Sequence, residues 1–169
     1  MTTEGKKLDE LYELIDDIDV AIMTTRRPDG RLVSRPMQTQ DVDDEFDLWF
    51  VTSDETHKLE ELEYDPHVNL AYYNNDSREW VSVSGTARLT RDRATIERLH
   101  DASWRIFFGK VDEVRDGGPG DPRIVLIEVD VDSVVYMKNE APLPKRLFEV
   151  AKSMVTGERA ELGEVRRIE

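Results

Sequence analysis

The sequence predicts a mainly β (α+β) fold, in which six antiparallel strands form a small closed or nearly closed barrel with helices packed outside it. Six segments show the alternation of apolar and polar residues that is typical of half-buried strands. Short turns that contain Gly, Pro, Asp or Asn join most of these segments, which favours antiparallel pairing. The helical connections are too few for a doubly wound parallel sheet, and the chain has neither a Gly-rich dinucleotide fingerprint nor a phosphate-binding P-loop.

The first half of the chain predicts a helix, three strands and a second, short helix. The first helix is expected over about 5–18, where apolar residues recur at helical spacing: Leu8, Leu11, Tyr12, Ile15 and Ile18. Two strands, VAIMTTRR and RLVSRPMQTQDV, form a hairpin across the PDG turn. The third strand is LWFVTS, and the short helix follows over about 57–64 with Thr56 as its expected N-cap.

The second half predicts three more strands, a longer helix and a tail. The strands are DPHVNLAYYNN, WVSVSGTARLTR and IVLIEVDVDSVVYM. A helix over DRATIERLHDASWRIF, capped by Asp92, precedes a Gly- and Pro-rich loop. We therefore expect one domain over residues 1–140 and an extension over 141–169, which begins with an amphipathic helix and ends in a polar, frayed segment.

The composition is strongly acidic and lacks cysteine. Charged residues make up 36% of the 169 residues and the formal net charge is -14, which argues against binding to nucleic acid or to an anionic membrane. Such an excess is compatible with a halophilic, high-salt cytoplasm, where ions screen the self-repulsion. The absence of cysteine excludes disulfides and thiolate chemistry. Because the sequence also has no signal-peptide core and no run of ~18 apolar residues, we expect a cytoplasmic protein.

Two side chains that carry or can acquire positive charge, His57 and Lys58, stand in the first turn of the short helix. A helix N-terminus prefers negatively charged groups, and helix N-termini commonly bind phosphate, so this placement suits a bound anion. The alternative is that Lys58 points into solvent and pairs with Glu61 at helical spacing, a contact that contributes only a few tenths of a kcal/mol.

The second strand carries two arginines on one face. Because side chains alternate along a strand, Arg31 and Arg35 lie on the same side with Val33 between them. Near a barrel core such cations are costly unless an anion or a carboxylate meets them, and the guanidinium fork suits phosphate oxygens. Pro36 cannot donate to a sheet ladder, which predicts an open or bulged edge. The alternative pairs both arginines with surface carboxylates.

Two aromatic segments are further candidates for a ligand site. In WVSVSGTA, Trp80 shares a face with two serines and either covers a flat heterocycle or belongs to the core or an interface. Gly85 marks a bulge or a close backbone approach. In SWRIFFGK, Trp104, Phe107 and Phe108 form part of the core, a mobile flap over a pocket or a subunit contact. The three histidines have no metal-ligand spacing, so no metal site is expected.

Five segments, in the same order along the chain, give it a resemblance to the pyridoxamine 5'-phosphate oxidase-like superfamily of flavin-binding split barrels. Within that superfamily the chain is most similar to the branch called general stress proteins. The segments cover about residues 8–137 and are DGRLVSRPM, LWFVTSDETHKLEEL, DPHVNLAYY, WVSVSGTARLTRDR and GGPGDPRIVLIEV. The resemblance implies a six-stranded antiparallel split β-barrel that binds flavin mononucleotide (FMN) in a groove between the subunits of a homodimer.

The resemblance also implies which residues contact FMN. Nine positions match the cofactor contacts of the family: Arg31, Val33, Ser34, Arg35, Val51, Thr52, His57, Lys58 and Trp80. The phosphate would be held by Arg31, His57 and Lys58, and the ring by the second and third strands. Trp80 would approach from the partner subunit, and Trp104 is a candidate for closing the pocket.

The chain departs from the oxidases of this family at two places. It has His57 where they carry an arginine, and its tail lacks their Trp and Arg signature, so pyridoxamine phosphate oxidation is not expected. The resemblance implies an FMN-dependent oxidoreductase linked to a stress response, with catalytic residues and substrate unidentified. The alternatives are a non-catalytic flavin-sequestering stress protein, a deazaflavin- or haem-binding relative, and a small acidic dimer without a cofactor.

Overall fold

The structure, a computed structural model, describes residues 3–139, 143–157 and 164–168. Its helices are α1 (Thr3–Ile15), α2 (Lys58–Tyr64), α3 (Arg93–Leu99), α4 (Trp104–Phe108) and α5 (Leu143–Thr156). Its strands are β1 (Val20–Arg26), β2 (Leu32–Gln38), β3 (Leu48–Ser53), β4 (His67–Tyr73), β5 (Trp80–Thr90), β6 (Ile124–Lys138) and β7 (Glu164–Ile168). None of the helices in these ranges is both long and apolar enough to cross a membrane.

The six predicted strands form one antiparallel sheet in the order β2-β1-β4-β5-β6-β3, and β7 pairs with β6. The first and last strands of this order approach each other, because Gln40 N just after β2 donates to Trp49 O of β3 at 3.1 Å. Within the described residues no ladder joins β2 to β3. We call this gap the seam. The nearly closed antiparallel barrel and the open edge expected at Pro36 are confirmed.

The barrel is filled by the side chains that point inward at every second position along the strands. Its buried core includes Ala21, Met23, Phe50, Leu70, Tyr72, Val81 and Val83. Burying a large apolar side chain of this kind contributes about 1.5–3 kcal/mol relative to leaving it exposed. Leu11 and Ile15 of α1 complete this core. A second cluster, centred on Trp49 and Trp104, lies beneath α3 and α4.

Gly85 sits at a register shift in the pairing of β5 with β6, between Ser84 and Gly85. A Cβ atom at this position would lie 2.6 Å from the backbone oxygen of Asp130. Both predicted roles of this glycine, a bulge and a close backbone approach, are therefore confirmed.

The long helix expected over 92–107 is divided into α3 and α4. Asp92 caps α3 as predicted, since its side chain accepts a hydrogen bond from Thr95 N at 2.8 Å. The helix ends at His100, whose ψ of 128° leaves the helical region. Asp101 Oδ1 then accepts from Ser103 N at 2.7 Å, and this turn starts α4 in a new direction.

The tail contains a strand that the sequence pattern does not predict. The amphipathic helix is confirmed as α5, but residues 164–168 form β7 rather than a frayed end. β7 pairs with residues 134–138 of β6. Four of its five side chains are exposed, so backbone hydrogen bonds to the edge of β6 hold it and no apolar alternation marks it. The domain boundary near residue 140 stays a prediction.

Candidate functional site

A groove with a cationic end and an apolar end runs along the seam. The cationic end is an open cavity of about 730 Å³, named for its basic side chains Arg27, Arg35, His57 and Lys58; the carboxylates of Asp29, Glu60 and Glu61 also line it. The apolar end, of about 270 Å³, is lined by Pro36 and Met37 of β2, Val51 and Thr52 of β3, and Phe107 and Phe108 of α4. Thr56 and Lys58 border both ends, so the two parts are continuous.

Lys58 lies at the junction of the two ends and bridges the seam. Its Nζ donates to Thr52 Oγ1 of β3 at 2.8 Å and lies 3.6 Å from Met37 Sδ of β2. The side chain is half-buried, and within the described part of the chain its ammonium forms no ion pair. Burial and the neighbouring Arg35 charge lower the pKa of Lys58, and Glu61 offsets this only in part. A bound anion would relieve the cost of keeping this cation charged.

Arg35 is held by a buried carboxylate beneath the groove. Its Nη2 donates to Glu61 Oε2 at 2.6 Å, and its Nη1 donates to Thr25 Oγ1 at 2.7 Å. The Arg35 and Glu61 side chains are 19% and 9% exposed, so water screens the pair weakly. Burial acts to raise the pKa of Glu61, but hydrogen bonds from Thr25 and Arg35 outweigh it and the pKa lies below its ordinary value. Arg35 is therefore fixed and largely neutralised, whereas Lys58 is not.

For α2, the alternative interpretation of Lys58 and the expected N-cap are both wrong. Lys58 does not pair with Glu61 in solvent, because Glu61 turns inward to Arg35. Thr56 is not the N-cap: that position is His57, whose side chain makes no capping hydrogen bond. The Thr56 hydroxyl instead donates to Ser53 O at 2.8 Å, within the turn that follows β3.

The groove brings together six of the nine predicted contacts: Val33, Arg35, Val51, Thr52, His57 and Lys58. Arg31 lies outside its lining, with a side chain that is 77% exposed and pairs with Asp29 at 3.1 Å. Ser34 faces the opposite side of β2, where its hydroxyl lies 2.8 Å from that of Thr24. Trp80, at the start of β5, pairs with Tyr73 of β4 and does not line the groove.

The aromatic residues of α4 divide between the core and the groove. Trp104 is 1% exposed and packs against Trp49, with ring centroids 6.2 Å apart. Its Nε1 donates to Gln40 Oε1 at 3.0 Å. Trp104 therefore cannot close the pocket, and that expectation is wrong. Phe107 is 69% exposed and Phe108 half-buried, and both line the apolar end.

Sequence reasoning missed Glu61, Thr25 and Met37 as parts of the site. Glu61 lies between the buried Leu59 and Leu62 of α2, a sign that this face of the helix packs inward. The sequence carries no local signal that the facing strand supplies Arg35, since only the tertiary packing of α2 on β1 and β2 brings the two together.

The outer face of the sheet is exposed or half-buried and mixes small, apolar and polar side chains. One row crosses neighbouring strands at Pro36, which also lines the apolar end, and at Ile22, Ala71, Ser82 and Val135, and the next row is polar, with Ser34, Thr24, Asn69, Ser84 and Ser133. Ile22 is 42% exposed, and the other members of the row are exposed or half-buried. Trp80 begins β5 on this same face, two residues before Ser82.

A family profile and a related protein both match nearly the whole chain. The profile of the family described as "Pyridoxamine 5'-phosphate oxidase like" matches residues 6–161. The protein bli-3 of Neurospora crassa is 31% identical over 166 residues, which are 96% of this chain and 79% of that protein.

Solved structures share the fold. A Jannaschia sp. CCS1 protein assigned provisionally to general stress protein 26 has a TM-score of 0.69 at 22% identity, covering 97% of this chain and 98% of its own. The general stress FMN/FAD binding protein of Xanthomonas citri has a TM-score of 0.63 at 22% identity, covering 82% and 93%.

Proposed function

The chain belongs to the pyridoxamine 5'-phosphate oxidase-like family, and from this premise we propose that it is a flavoprotein whose cofactor is FMN. The phosphate lies at Lys58 and the flavin ring occupies the apolar end of the groove. The observation that carries the proposal is a half-buried ammonium without an ion-pair partner in the described residues, in a chain whose net charge is -14. The name of the Xanthomonas citri protein, which includes FMN/FAD binding, supports a flavin.

The residues of the groove fit a flavin nucleotide. A phosphate dianion needs charge-assisted donors, which the Lys58 ammonium would supply. His57 and Arg27 line the same end, although Arg27 also pairs with Asp29 at 3.4 Å. The isoalloxazine ring needs a largely apolar slot, which Met37, Val51 and Phe108 line. The unpaired backbone edges of β2 and β3 at the seam offer donors and acceptors to the polar edge of the ring.

Bound FMN would supply one- and two-electron chemistry, and the protein would bind and orient it. Lys58 holds the phosphate, and the Arg35–Glu61 pair keeps β2 and α2 in fixed relation on either side of it. Of the described residues that line the apolar end, only Lys58 titrates. We propose an FMN-dependent oxidoreductase in which the described lining of the apolar end offers no proton donor besides Lys58.

The scarcity of titratable groups at the ring end also favours a second candidate, a flavin-binding stress protein that sequesters the cofactor without turnover. Reduction of the bound flavin by a reduced nicotinamide, followed by reoxidation with an electron acceptor, distinguishes the two. Repeated turnover supports the oxidoreductase, and flavin that is bound but never reduced supports the second candidate. The link to stress, the cytoplasmic location and the high-salt habitat stay predictions.

We propose that the functional unit is a homodimer formed through the exposed outer face of the sheet. Apolar and small residues in one row across the strands, beside a row of uncharged polar residues, suit a close contact between two sheets. Trp80 begins β5 on this face but lies away from the groove of its own chain, which agrees with its predicted contact to the cofactor of a partner.

The absorption spectrum of the protein as purified tests the proposal. We expect a yellow protein that releases FMN on denaturation, identified by mass spectrometry. Light scattering should give about twice the 19.6 kDa of one chain. A colourless protein that also fails to bind added FMN would contradict the cofactor assignment, and release of a deazaflavin or haem would replace it. A monomer that retains FMN would contradict the dimer alone.

FMN affinity is expected to fall with rising pH before an ordinary lysine loses its proton. The pKa of Lys58 lies below its ordinary value of 10.5, and only the protonated amine can bind the phosphate. As the pH rises through this lowered pKa, the free protein loses the cation and FMN binding weakens. Titration upward from neutral pH should therefore lower the ratio of FMN affinity to riboflavin affinity, because effects on the shared ring cancel in this ratio. Lys58→Arg, which stays charged, should show a flat profile; an identical fall in the variant would point to another group.

A further inference from the structure

We infer that α4 forms a wall of the flavin-ring site and that the buried pair Asp121–Arg123 positions this wall. The inference rests on the proposed function, because it assigns the ring to the apolar end of the groove. It adds Phe107 and Phe108 as contacts of the ring, and Arg123 as a positioning residue that touches neither ring nor phosphate.

Phe107 carries the first part of the argument. It is 69% exposed although it lines the apolar end together with Phe108. Its neighbour Ile106 is 81% exposed and does not line the groove. A large aromatic side chain that faces a slot is a contact surface for a planar ring, since offset and edge-to-face aromatic pairs attract each other. Phe107 and Ile106 therefore form a matched pair on one helix, of which only Phe107 faces the ligand.

Arg123 fixes the end of α4 through the carbonyl groups that the helix leaves unpaired. Its Nη1 donates to Phe108 O at 3.1 Å and its Nη2 to Gly109 O at 3.2 Å. The guanidinium also lies 5.5 Å from the centroid of the Phe108 ring. The last carbonyls of a helix need external donors, and the five-residue α4 finds them in one planar side chain.

Asp121 holds this guanidinium in place. It is fully buried, and its Oδ2 accepts from Arg123 Nη2 at 2.7 Å and from Gly117 N at 2.8 Å. A buried ion pair gives little net stability because both charges lose their water, so its geometry is the better account of its presence. Gly117 packs so closely on α4 that a Cβ atom there would lie 2.7 Å from the Arg105 Cα.

Arg123 also reaches the opposite wall of the groove. Its backbone oxygen accepts from Asp54 N at 2.8 Å, in the turn that leads from β3 to Thr56 and Lys58. One residue thus sets the position of α4 through its side chain and of the 54–57 turn through its backbone. The distance between the phosphate end and the aromatic wall depends on this residue.

Binding of FMN and of riboflavin to four full-length variants tests the inference. Phe107→Ala should weaken both ligands by the same factor, about 2- to 12-fold, because the lost aromatic contact involves the shared ring. Phe107→Tyr should restore wild-type affinity, and Ile106→Ala should leave it unchanged. Arg123→Lys, which keeps the charge but cannot hold both carbonyls, should weaken both ligands equally and alter the visible circular dichroism of the bound flavin.

Each outcome decides the matter. Unchanged flavin affinities and unchanged dichroism in folded Phe107→Ala and Arg123→Lys would overturn the inference. If the wild type still binds FMN in that case, the proposed function is not affected. Equal losses in Ile106→Ala and Phe107→Ala would also overturn it, because the effect would then belong to the helix rather than to the wall. If Arg123→Lys does not fold, the Phe107 and Ile106 variants decide alone. A wild type that binds no flavin overturns the proposed function and this inference with it.

Discussion

Replacing Lys58 with alanine is expected to weaken FMN binding by about 10- to 150-fold and to leave riboflavin binding nearly unchanged. A hydrogen bond to a charged group contributes about 1.5–3 kcal/mol, and each 1.4 kcal/mol changes the dissociation constant tenfold. Because Lys58 has no ion-pair partner in the described chain, its amine is available to the phosphate without first breaking an ion pair. Titration of the quenching of flavin fluorescence would give both dissociation constants.

Two further variants serve as comparisons for this result. Lys110→Ala removes the same charge from an exposed position outside the groove lining and should change FMN affinity little. Arg31→Ala should weaken FMN by less than Lys58→Ala, since the Arg31 side chain is largely exposed and already paired with Asp29. If Lys58→Ala weakens the binding of FMN and of riboflavin by the same factor, this lysine does not bind the phosphate.

The second large effect concerns stability. Arg35→Ala should lower the free energy of unfolding by about 3 kcal/mol, because it leaves the Glu61 carboxylate buried without its cation. The value lies at the lower end of the range for broken buried pairs, since Arg35 keeps part of its exposure. Urea denaturation followed by circular dichroism would measure it.

An exposed ion pair and a double variant serve as controls for Arg35→Ala. Arg115→Ala breaks an ion pair with Asp112 in which the two side chains are 43% and 45% exposed, and should cost less than about 1 kcal/mol. The double variant Arg35→Met, Glu61→Leu should recover most of the stability, because no uncompensated charge remains. A loss of stability in Arg35→Ala no larger than in Arg115→Ala would show that the Glu61 carboxylate does not need its cation and that the Arg35–Glu61 pair is not a structural anchor.

The sheet was predictable from the sequence because strand signals are local. Alternation in WVSVSGTARLTR fixed which side chains of β5 face inward, and Gly85 marked the bulge. The helix break at His100 was not predictable, since DRATIERLHDASWRIF keeps helical spacing through residues that leave the helix. Helical spacing also left open whether Trp104 belongs to the core or closes the pocket, because spacing shows that residues share a face but not what that face contacts.

The candidate site was predictable only in part, because its partners come from separate segments. Alternation placed Arg31 and Arg35 on one face, yet Arg31 precedes β2 and pairs with Asp29 of the turn, whereas Arg35 meets a carboxylate of α2. Which arginine is paired inward, and therefore which cation stays available, depends on the packing of α2 against the barrel. That packing leaves Lys58 without an ion-pair partner among the described residues, a result that helical and strand periodicity could not predict.

A crystal structure of the protein with FMN would test the central claim most directly. We expect a phosphate oxygen about 2.7–2.9 Å from Lys58 Nζ and the flavin ring in the apolar end of the groove against Phe107. A phosphate bound away from Lys58, or a ring placed in the cationic end, would contradict the account.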